Sequence, residues 1–344
     1  MPKLGLEIAY SGQHMSLDMD KIKKAERLGF DTVWSAEAYG SDAFTPLAYI
    51  AGQTQRIRLG TGIAQLAART PANCAMIAQT LDDLAGRGRV IVGLGVSGPQ
   101  IVEGWYGQPW GKPMDRIRDY VAIMKKIWKR EGPVSHDGPE IQLPYRGPGS
   151  SGLGKPLKSI LHGNPDIPVM LGSATPAGLR LCGEIADGLL SMHLTPASLP
   201  KYITQLEQGL AKRTDGKTLD DLEIVANLRA YITDDVKAAL DTARPTIALY
   251  VGGMGAKSKN FHKEKMIERG YPEAAERIQE LFLAGHKAEA EAAVPDEFLD
   301  DMSLVGPRER IAERFKAWRD SRFTQLRIVN VDDESMEYIA KVNG

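Results

Sequence analysis

Three things are scarce in this chain: cysteine, excess charge of either sign, and long apolar runs. Cysteine occurs twice in 344 residues, at Cys74 and Cys182. Both fall in segments that read as helices with apolar neighbours, so they are expected to be buried packing residues rather than a disulfide or a metal pair. Lysine plus arginine number 43 against 44 aspartate plus glutamate, which leaves no global field to favour nucleic acid or an anionic membrane. No apolar run approaches the ~18 residues of a membrane-spanning helix. The opening MPKLGLEIAYSG lacks the regions of a signal peptide. The expectation is a cytoplasmic chain with neither membrane nor nucleic acid among its partners.

Familiar catalytic signatures are missing as well. There is no HExxH, no Gly-x-Ser-x-Gly elbow and no GxxxxGK[ST] loop. The six histidines, at 14, 136, 162, 193, 262 and 286, show no metal-ligand spacing, so no metal site is expected. An open doubly wound sheet would carry GxGxxG at its first turn, where YSGQHM stands instead. The GLGVSG at 93–98 belongs to a later unit.

What is present is a rhythm. The stretch 56–98, RIRLGTGIAQLAARTPANCAMIAQTLDDLAGRGRVIVGLGVSG, places two strand-like apolar runs, 57–63 and 90–96, around one helix. Thr70 suits the N-cap, Pro71 the first helical position and Gly86 or Gly88 the end. Cys74, Ile77, Ala78, Leu81 and Leu84 fall on one stripe. Parallel strands linked in this way put their chemistry at their downstream ends. The pattern predicts further strands at 4–10, 32–35, 167–171, 188–193, 223–233 and 325–331. Helices are expected at 17–28, 46–53, 115–129, 176–185 and 199–212, across 235–293, and from Pro307 onward with Ile311, Phe315 and Trp318 on one face.

Eight such units point to an α/β fold, a closed (β/α)8 TIM barrel, with insertions after the fourth strand–helix unit and after strand seven. No linker separates two cores, so residues 1–344 are expected to form one domain with insertions at about 132–164 and 251–300. The first insertion contains the aperiodic RGPGSSGLGKPLK and reads either as a lid at the barrel mouth or as a disordered surface loop.

The predicted strand ends carry small and aromatic residues: Trp34, Ser35 and Glu37; Thr61 and Gly62; Gly95, Ser97 and Gly98; Gly172, Ser173 and Thr175. Small residues that admit close backbone approach, with aromatics and a carboxylate, suit a planar organic cofactor better than a metal. His193 is the well-placed histidine, and it reads as a hydrogen-bonded core or rim residue. Trp34, Trp105 and Tyr106 are either walls of the site or plugs of the barrel mouth. Lys257, Lys259, Lys263, Lys265 and Arg269, offset by Glu264 and Glu268, form either a solvated helix face or a clamp for an acidic tail.

The stretch 56–98 resembles the signature region of the bacterial luciferase-like superfamily, where a third strand, an Arg-x-Pro helix start and a Gly-Arg turn precede a glycine-ended fourth strand. PVMLGSATPAGLRLCGEIADGLL resembles the family's fifth and sixth strands, and LVGPRERIAERFKAWRDSRFTQLRIV its final helix and strand. SGPQIVEGWYG and MGAKSKNFHKEKMIERGY are most similar to the branch that uses the deazaflavin coenzyme F420, which includes methylene-tetrahydromethanopterin reductase and sugar-phosphate dehydrogenases. The resemblance implies a (β/α)8 barrel, usually a homodimer, that transfers hydride between F420 and a small organic substrate. Its alternatives are an FMN-dependent monooxygenase of the same barrel and a flavin-binding protein without catalysis.

Residue roles follow from that resemblance. Gly62–Ile63 matches a non-prolyl cis peptide in a bulge that backs the ring, and Trp34, Thr61 and Gly95 are counted with it in the cofactor site. Ser97, Gly98 and Gln100 match contacts to the ring and ribityl chain. Gly172, Ser173, Ala174 and Thr175, ahead of a helix at Pro176, match backbone donors to the cofactor phosphate. Glu37 stands where several deazaflavin dehydrogenases have a histidine general base. It is the candidate catalytic residue, as acid or base, or else a structural acceptor. The change from histidine shifts the expected chemistry from alcohol oxidation toward reduction of an activated C=N or C=C bond.

Overall fold

A computed structural model describes residues 1–8, 13–254 and 260–344. β1 (Lys3–Ile8) is followed by α1 (Met19–Arg27), β2 (Thr32–Ser35), α2 (Phe44–Ala51) and β3 (Arg58–Thr61). A two-residue β4 (Ala64–Gln65) and α3 (Pro71–Leu84) lead to β5 (Val90–Gly95). Next come α4 (Pro99–Val102), α5 (Pro113–Lys129) and a small hairpin of β6 (His136–Asp137) and β7 (Gln142–Leu143). They precede β8 (Val169–Gly172), α6 (Pro176–Ile185), β9 (Gly188–Ser191) and α7 (Leu199–Leu210). β10 (Glu223–Ile232) opens an excursion through α8 (Val236–Asp241), α9 (Arg244–Gly253), α10 (Phe261–Glu268), α11 (Pro272–Leu283), α12 (Lys287–Ala292) and α13 (Asp296–Asp300). β11 (Ser303–Gly306), α14 (Arg308–Arg319), β12 (Gln325–Val329) and α15 (Asp333–Asn343) complete the chain.

The fold is a closed eight-stranded parallel barrel with alternating helices, as expected, built from β1, β2, β3, β5, β8, β9, β10 and β12. Residues 9 and 10 of the predicted first strand, and part of its turn, lie outside the described residues. By packing, the chain divides into a larger unit, residues 3–191 and 201–225, and a smaller one, residues 1–2, 192–200 and 226–344.

In the larger unit β1, β2, β3, β5, β8 and β9 pair in that order, all parallel. The β3–α3–β5 segment shows why these residues fold as they do. Thr70 caps α3 by accepting from Asn73 N at 3.2 Å, and Pro71 fills the first helical position. The buried Asp82 in the last turns of α3 accepts from the backbone N–H groups of Gly88, Arg89 and Val90 at 2.9–3.0 Å, which aims the chain into β5. Trp34, Ile91, Met170, Leu190 and Val225 pack together as a core cluster. A Cβ on Gly60 would fall 2.4 Å from Trp34 Cε3, so β3 has glycine where β2 inserts its indole.

The 132–164 segment is neither a lid nor a disordered loop. It joins α5 to β8, and its hairpin is strapped along α5 by the buried Asp119, which accepts from Glu140 N (2.8 Å) and Ile141 N (2.9 Å) and bonds His136 Nε2 (3.0 Å). Farther on, Arg130 Nε donates to Ser159 O and Asn164 Nδ2 to Asp82 Oδ2. Aperiodic sequence is held here by side-chain bonds to backbone, a kind of order that leaves no period to read.

In the smaller unit the excursion helices bury their own core around Met266, Ile278 and Phe298. Gly252 and Gly253, at the end of α9, are contact points here. A Cβ on Gly252 would fall 2.4 Å from Phe282 Cβ, where α9 meets α11. β11 was not expected from the sequence. It pairs in parallel with the downstream half of β10, from Arg229↔Ser303 to Ile232↔Gly306, and covers backbone that the ten-residue β10 would otherwise present as an edge.

Candidate functional site

The larger unit gathers most of the expected site residues at the downstream ends of β2, β3, β5 and β8. The Gly62–Ile63 peptide is cis, where the family pattern places it. Gly62 N donates to Ser35 O at 2.7 Å and Glu37 N donates to Ile63 O at 3.1 Å, so the bulge is tied to the end of β2 on both sides. Ile63 is half-buried and its side chain rests on the core cluster of Trp34, Ile91, Met170, Leu190 and Val225. Glycines border it. A Cβ on Gly95 would lie 3.0 Å from Ile63 Cδ1, and one on Gly172 would lie 2.8 Å from Ile63 Cγ2. The strands beside Ile63 therefore carry no side chain at its level, and the result is a flat apolar shelf.

Two expected cofactor contacts lie beneath this surface. Trp34 is fully buried and supports Ile63 from below, because its register beside Gly60 turns it into the core. Thr61 is also fully buried; its hydroxyl donates to Gly93 O and accepts from Gly93 N, both at 2.8 Å, joining β3 to β5. Neither offers surface to a ligand, which corrects their placement in the cofactor site.

Glu37 is buried, and its hydrogen bonds run to Ile63 in the bulge and to Gln65 and Arg69 just after it. Its Oε1 accepts from Arg69 Nη2 at 2.5 Å, and its Oε2 accepts from Arg69 Nη1 at 3.0 Å and Gln65 N at 2.8 Å. Gln65 Nε2 returns a bond to Glu37 O at 3.1 Å. This bidentate, doubly supported carboxylate has the geometry of the structural-acceptor alternative. Burial alone would lower the pKa of Arg69, but the Glu37 carboxylate beside it raises it, so the cation is secure. Sequence reasoning missed Arg69 and Gln65 as partners, although Arg69 opens the Arg-x-Pro motif and was the available signal.

After β5, Ser97 adopts φ +58°, a left-handed turn that leads to Gly98 and the start of α4. Gln100 is exposed, and its Oε1 lies 2.9 Å from where a Cβ on Gly98 would stand. After β8, Gly172 and Ser173 are half-buried, Ala174 is buried and Thr175 is exposed. Thr175 caps α6 by accepting from Gly178 N at 3.2 Å, and Ser173 N donates to Leu190 O. Tyr39 and Trp105, both exposed, meet edge to face at 6.5 Å, and Tyr106 donates its hydroxyl to Ala38 O at 3.2 Å. Trp105 and Tyr106 thus belong to a rim beside residues 38 and 39.

His193, in the smaller unit, is a buried partner of His262, with Nε2 to Nδ1 at 2.8 Å. Phe261 and Tyr250 pack against the pair. Burial pushes His262 down to about 4, and it pushes His193 well below the usual range with help from His262, Arg269 and Lys265. The pair is neutral and hydrogen-bonded, as the core-or-rim reading has it. Lys263 pairs with Glu276, Lys265 with Glu268 and Arg269 with Asp301, while Lys257 and Lys259 lie outside the described residues. Among the described residues no group of His, Cys, Asp and Glu is arranged to hold a metal. Cys74 and Cys182 are buried and free, their thiols pushed up by burial to about 11 and about 12.

The sequence profile of the luciferase-like monooxygenase family matches residues 9–325. A putative coenzyme F420-dependent oxidoreductase of Mycobacterium tuberculosis is 44% identical over 340 residues, 98% of each chain. The structure of a coenzyme F420-dependent tetrahydromethanopterin reductase from Methanopyrus kandleri superposes with a TM-score of 0.78 at 23% identity, covering 99% of this chain and 97% of the other. An F420-dependent secondary alcohol dehydrogenase superposes at 0.74 with 17% identity, covering 99% and 98%. At these identities the two structures speak to the barrel fold.

Proposed function

The chain belongs to the luciferase-like monooxygenase family, and from that premise we propose that it is a coenzyme F420-dependent oxidoreductase acting on a small organic substrate. The observation that carries this reading is the shelf of Ile63 between Gly95 and Gly172, a flat apolar floor at the strand ends suited to one face of a planar ring. Ser97, Gly98 and Gln100 would flank the ring, and the turn of Gly172, Ser173, Ala174 and Thr175 ahead of α6 would hold the phosphate of its tail, with Ala174 and Thr175 offering backbone N–H groups and Ser173 N kept by Leu190 O. When bound, F420 supplies or accepts a hydride.

The chain's own residues do the rest. Ile63 shields one face from water. The Glu37–Arg69 pair holds the bulge in register with β2, which makes Glu37 a positioning residue. With that carboxylate engaged by a cation, the reaction we favour is reduction of an activated C=N or C=C bond, which needs no resident base to take an alcohol proton. Tyr39 and Trp105 give the rim an apolar lip for the substrate. The working form in this reading is a homodimer.

Titration of the full chain with F420 and with FMN, followed by fluorescence, tests the assignment. F420 is expected to bind and FMN to bind at least about tenfold more weakly. Gly172→Val, whose branches would meet Ile63, should weaken F420 binding about tenfold or more. Tight FMN binding with no affinity for F420 would overturn the reading.

A further inference from the structure

We propose that the strap formed by residues 141–163, on the flank of α5, is a docking surface for anionic phospholipid membranes. The strap shows four large apolar side chains to solvent: Ile160 is 92% exposed, Leu153 85%, Leu157 69% and Tyr145 56%. Between them stand Arg146, Lys155 and Lys158, and residues 141–165 contain no aspartate or glutamate. Among the described residues no carboxylate pairs with Lys155 or Lys158. The even charge balance of the whole chain hides this local run of one sign.

The strap is displayed in a fixed form. Val134 N donates to Leu157 O at 2.8 Å, Arg130 Nε donates to Ser159 O at 2.8 Å and Arg87 Nη2 donates to His162 O at 3.1 Å. These bonds hold the backbone while the leucines and isoleucine point away from it. A segment with ordered backbone and unburied aliphatic side chains contributes little to the core and marks an interaction surface.

Beside the strap lies a cavity of about 350 Å³ with Lys126, His136, Gln142 and Arg146 in its walls and Asp137 as its acid. The strap runs along its edge, since a Cβ on Gly154 would lie 3.2 Å from Pro144 Cβ, and Pro144 lines the cavity. Three basic side chains in a space of that size suit a phosphodiester headgroup. The aliphatic chains beside it suit the boundary between headgroups and acyl chains. A second copy of this chain fits less well, because a two-fold contact would bring Arg146, Lys155 and Lys158 against their own copies with Asp137 as the one acid of the cavity lining to answer them. The insertion leads into the upstream end of β8, so a docked barrel keeps the downstream strand ends open. The contact is peripheral, and no helix among the described residues is long and apolar enough to cross a membrane.

Flotation of the full chain with vesicles tests this. Binding is expected to equimolar phosphatidylglycerol and phosphatidylcholine, to weaken at high salt, and to be absent on pure phosphatidylcholine. The Leu153→Ser/Leu157→Ser/Ile160→Ser variant should lose at least about tenfold in vesicle affinity. Lys155→Glu/Lys158→Glu should lose at least about 25-fold, from roughly fivefold for each lysine removed. Both variants should melt like the parent, because the altered side chains are solvent-facing. No binding to the anionic vesicles, or binding that both variants retain, overturns the proposal. It also falls if glycerol phosphate alone binds with the affinity of the vesicles, or if the serine variant turns a dimer into a monomer, which would make the strap a contact between copies.

Discussion

Glu37 and Arg69 face each other across 32 residues of sequence, buried at the base of the bulge that carries Ile63. Glu37→Gln removes the anion and leaves the guanidinium enclosed without a counter-charge, a change that costs about 3 kcal/mol or more in buried pairs. Adding Arg69→Met to that variant should recover much of the loss, since an apolar replacement of both partners is close to neutral. Urea denaturation of the two single variants and the double measures this. If Glu37 were instead the acid or base of the reaction, Glu37→Gln would keep parental stability and only turnover would fall. At this scale the sequence was partly legible. The position of the cis peptide and the shelf glycines could be read from the family pattern. Which strand-end residues face a ligand could not, because Trp34 and Thr61 turn inward through cross-strand register that only the assembled sheet sets.

At the scale of elements, the helix between β3 and β5 could be read because its signals are local: a threonine cap, a proline at the first position and glycines past the end. The Asp119 strap and the β10–β11 pairing rest on long-range bonds and left no periodic trace. α2 and α3 raise a further question. Residues 44–52 and 71–81 contain no charged side chain in a chain where a quarter of the residues are charged. Even so, Tyr49 on α2 and Met76 on α3 are each 60% exposed. Two uncharged helix faces can meet their own copies across a two-fold axis without desolvating an ion, and this is where the proposed homodimer would form. Light scattering is expected to find a dimer for the parent and a monomer for Tyr49→Glu/Met76→Glu with unchanged circular dichroism. A variant that stays dimeric moves the interface elsewhere.

For the molecule as a whole, net charge conceals how stability responds to acid. The chain is close to neutral overall, yet it buries His193 and His262 uncharged and holds Asp31 and Asp187 ionised. Burial alone would raise both aspartates, but Arg58 beside Asp31 and Lys125 with Lys217 beside Asp187 bring them below the usual range. The two sets act in different windows. A histidine whose folded pKa is depressed stabilises the fold above its unfolded pKa of about 6.5, because below that the unfolded chain takes up a proton that the folded one refuses. For His262 the contribution drains away between about 6.5 and its folded value of about 4. The slope in that window is about 1.4 kcal/mol per pH unit for each histidine. The aspartates are ionised in both states down to about pH 5, and their contribution is lost as pH falls from there through their unfolded pKa of about 3.9. Stability from urea unfolding should therefore start to fall at about pH 6.5, with the histidines alone setting the slope down to about pH 5, where the carboxylates begin to add to it. His262→Gln keeps a hydrogen-bonding group next to His193 but cannot take up the proton, so it should flatten that limb by about one proton and leave the fall below about pH 4 in place. An unchanged slope in the variant would move the acid sensitivity away from this pair.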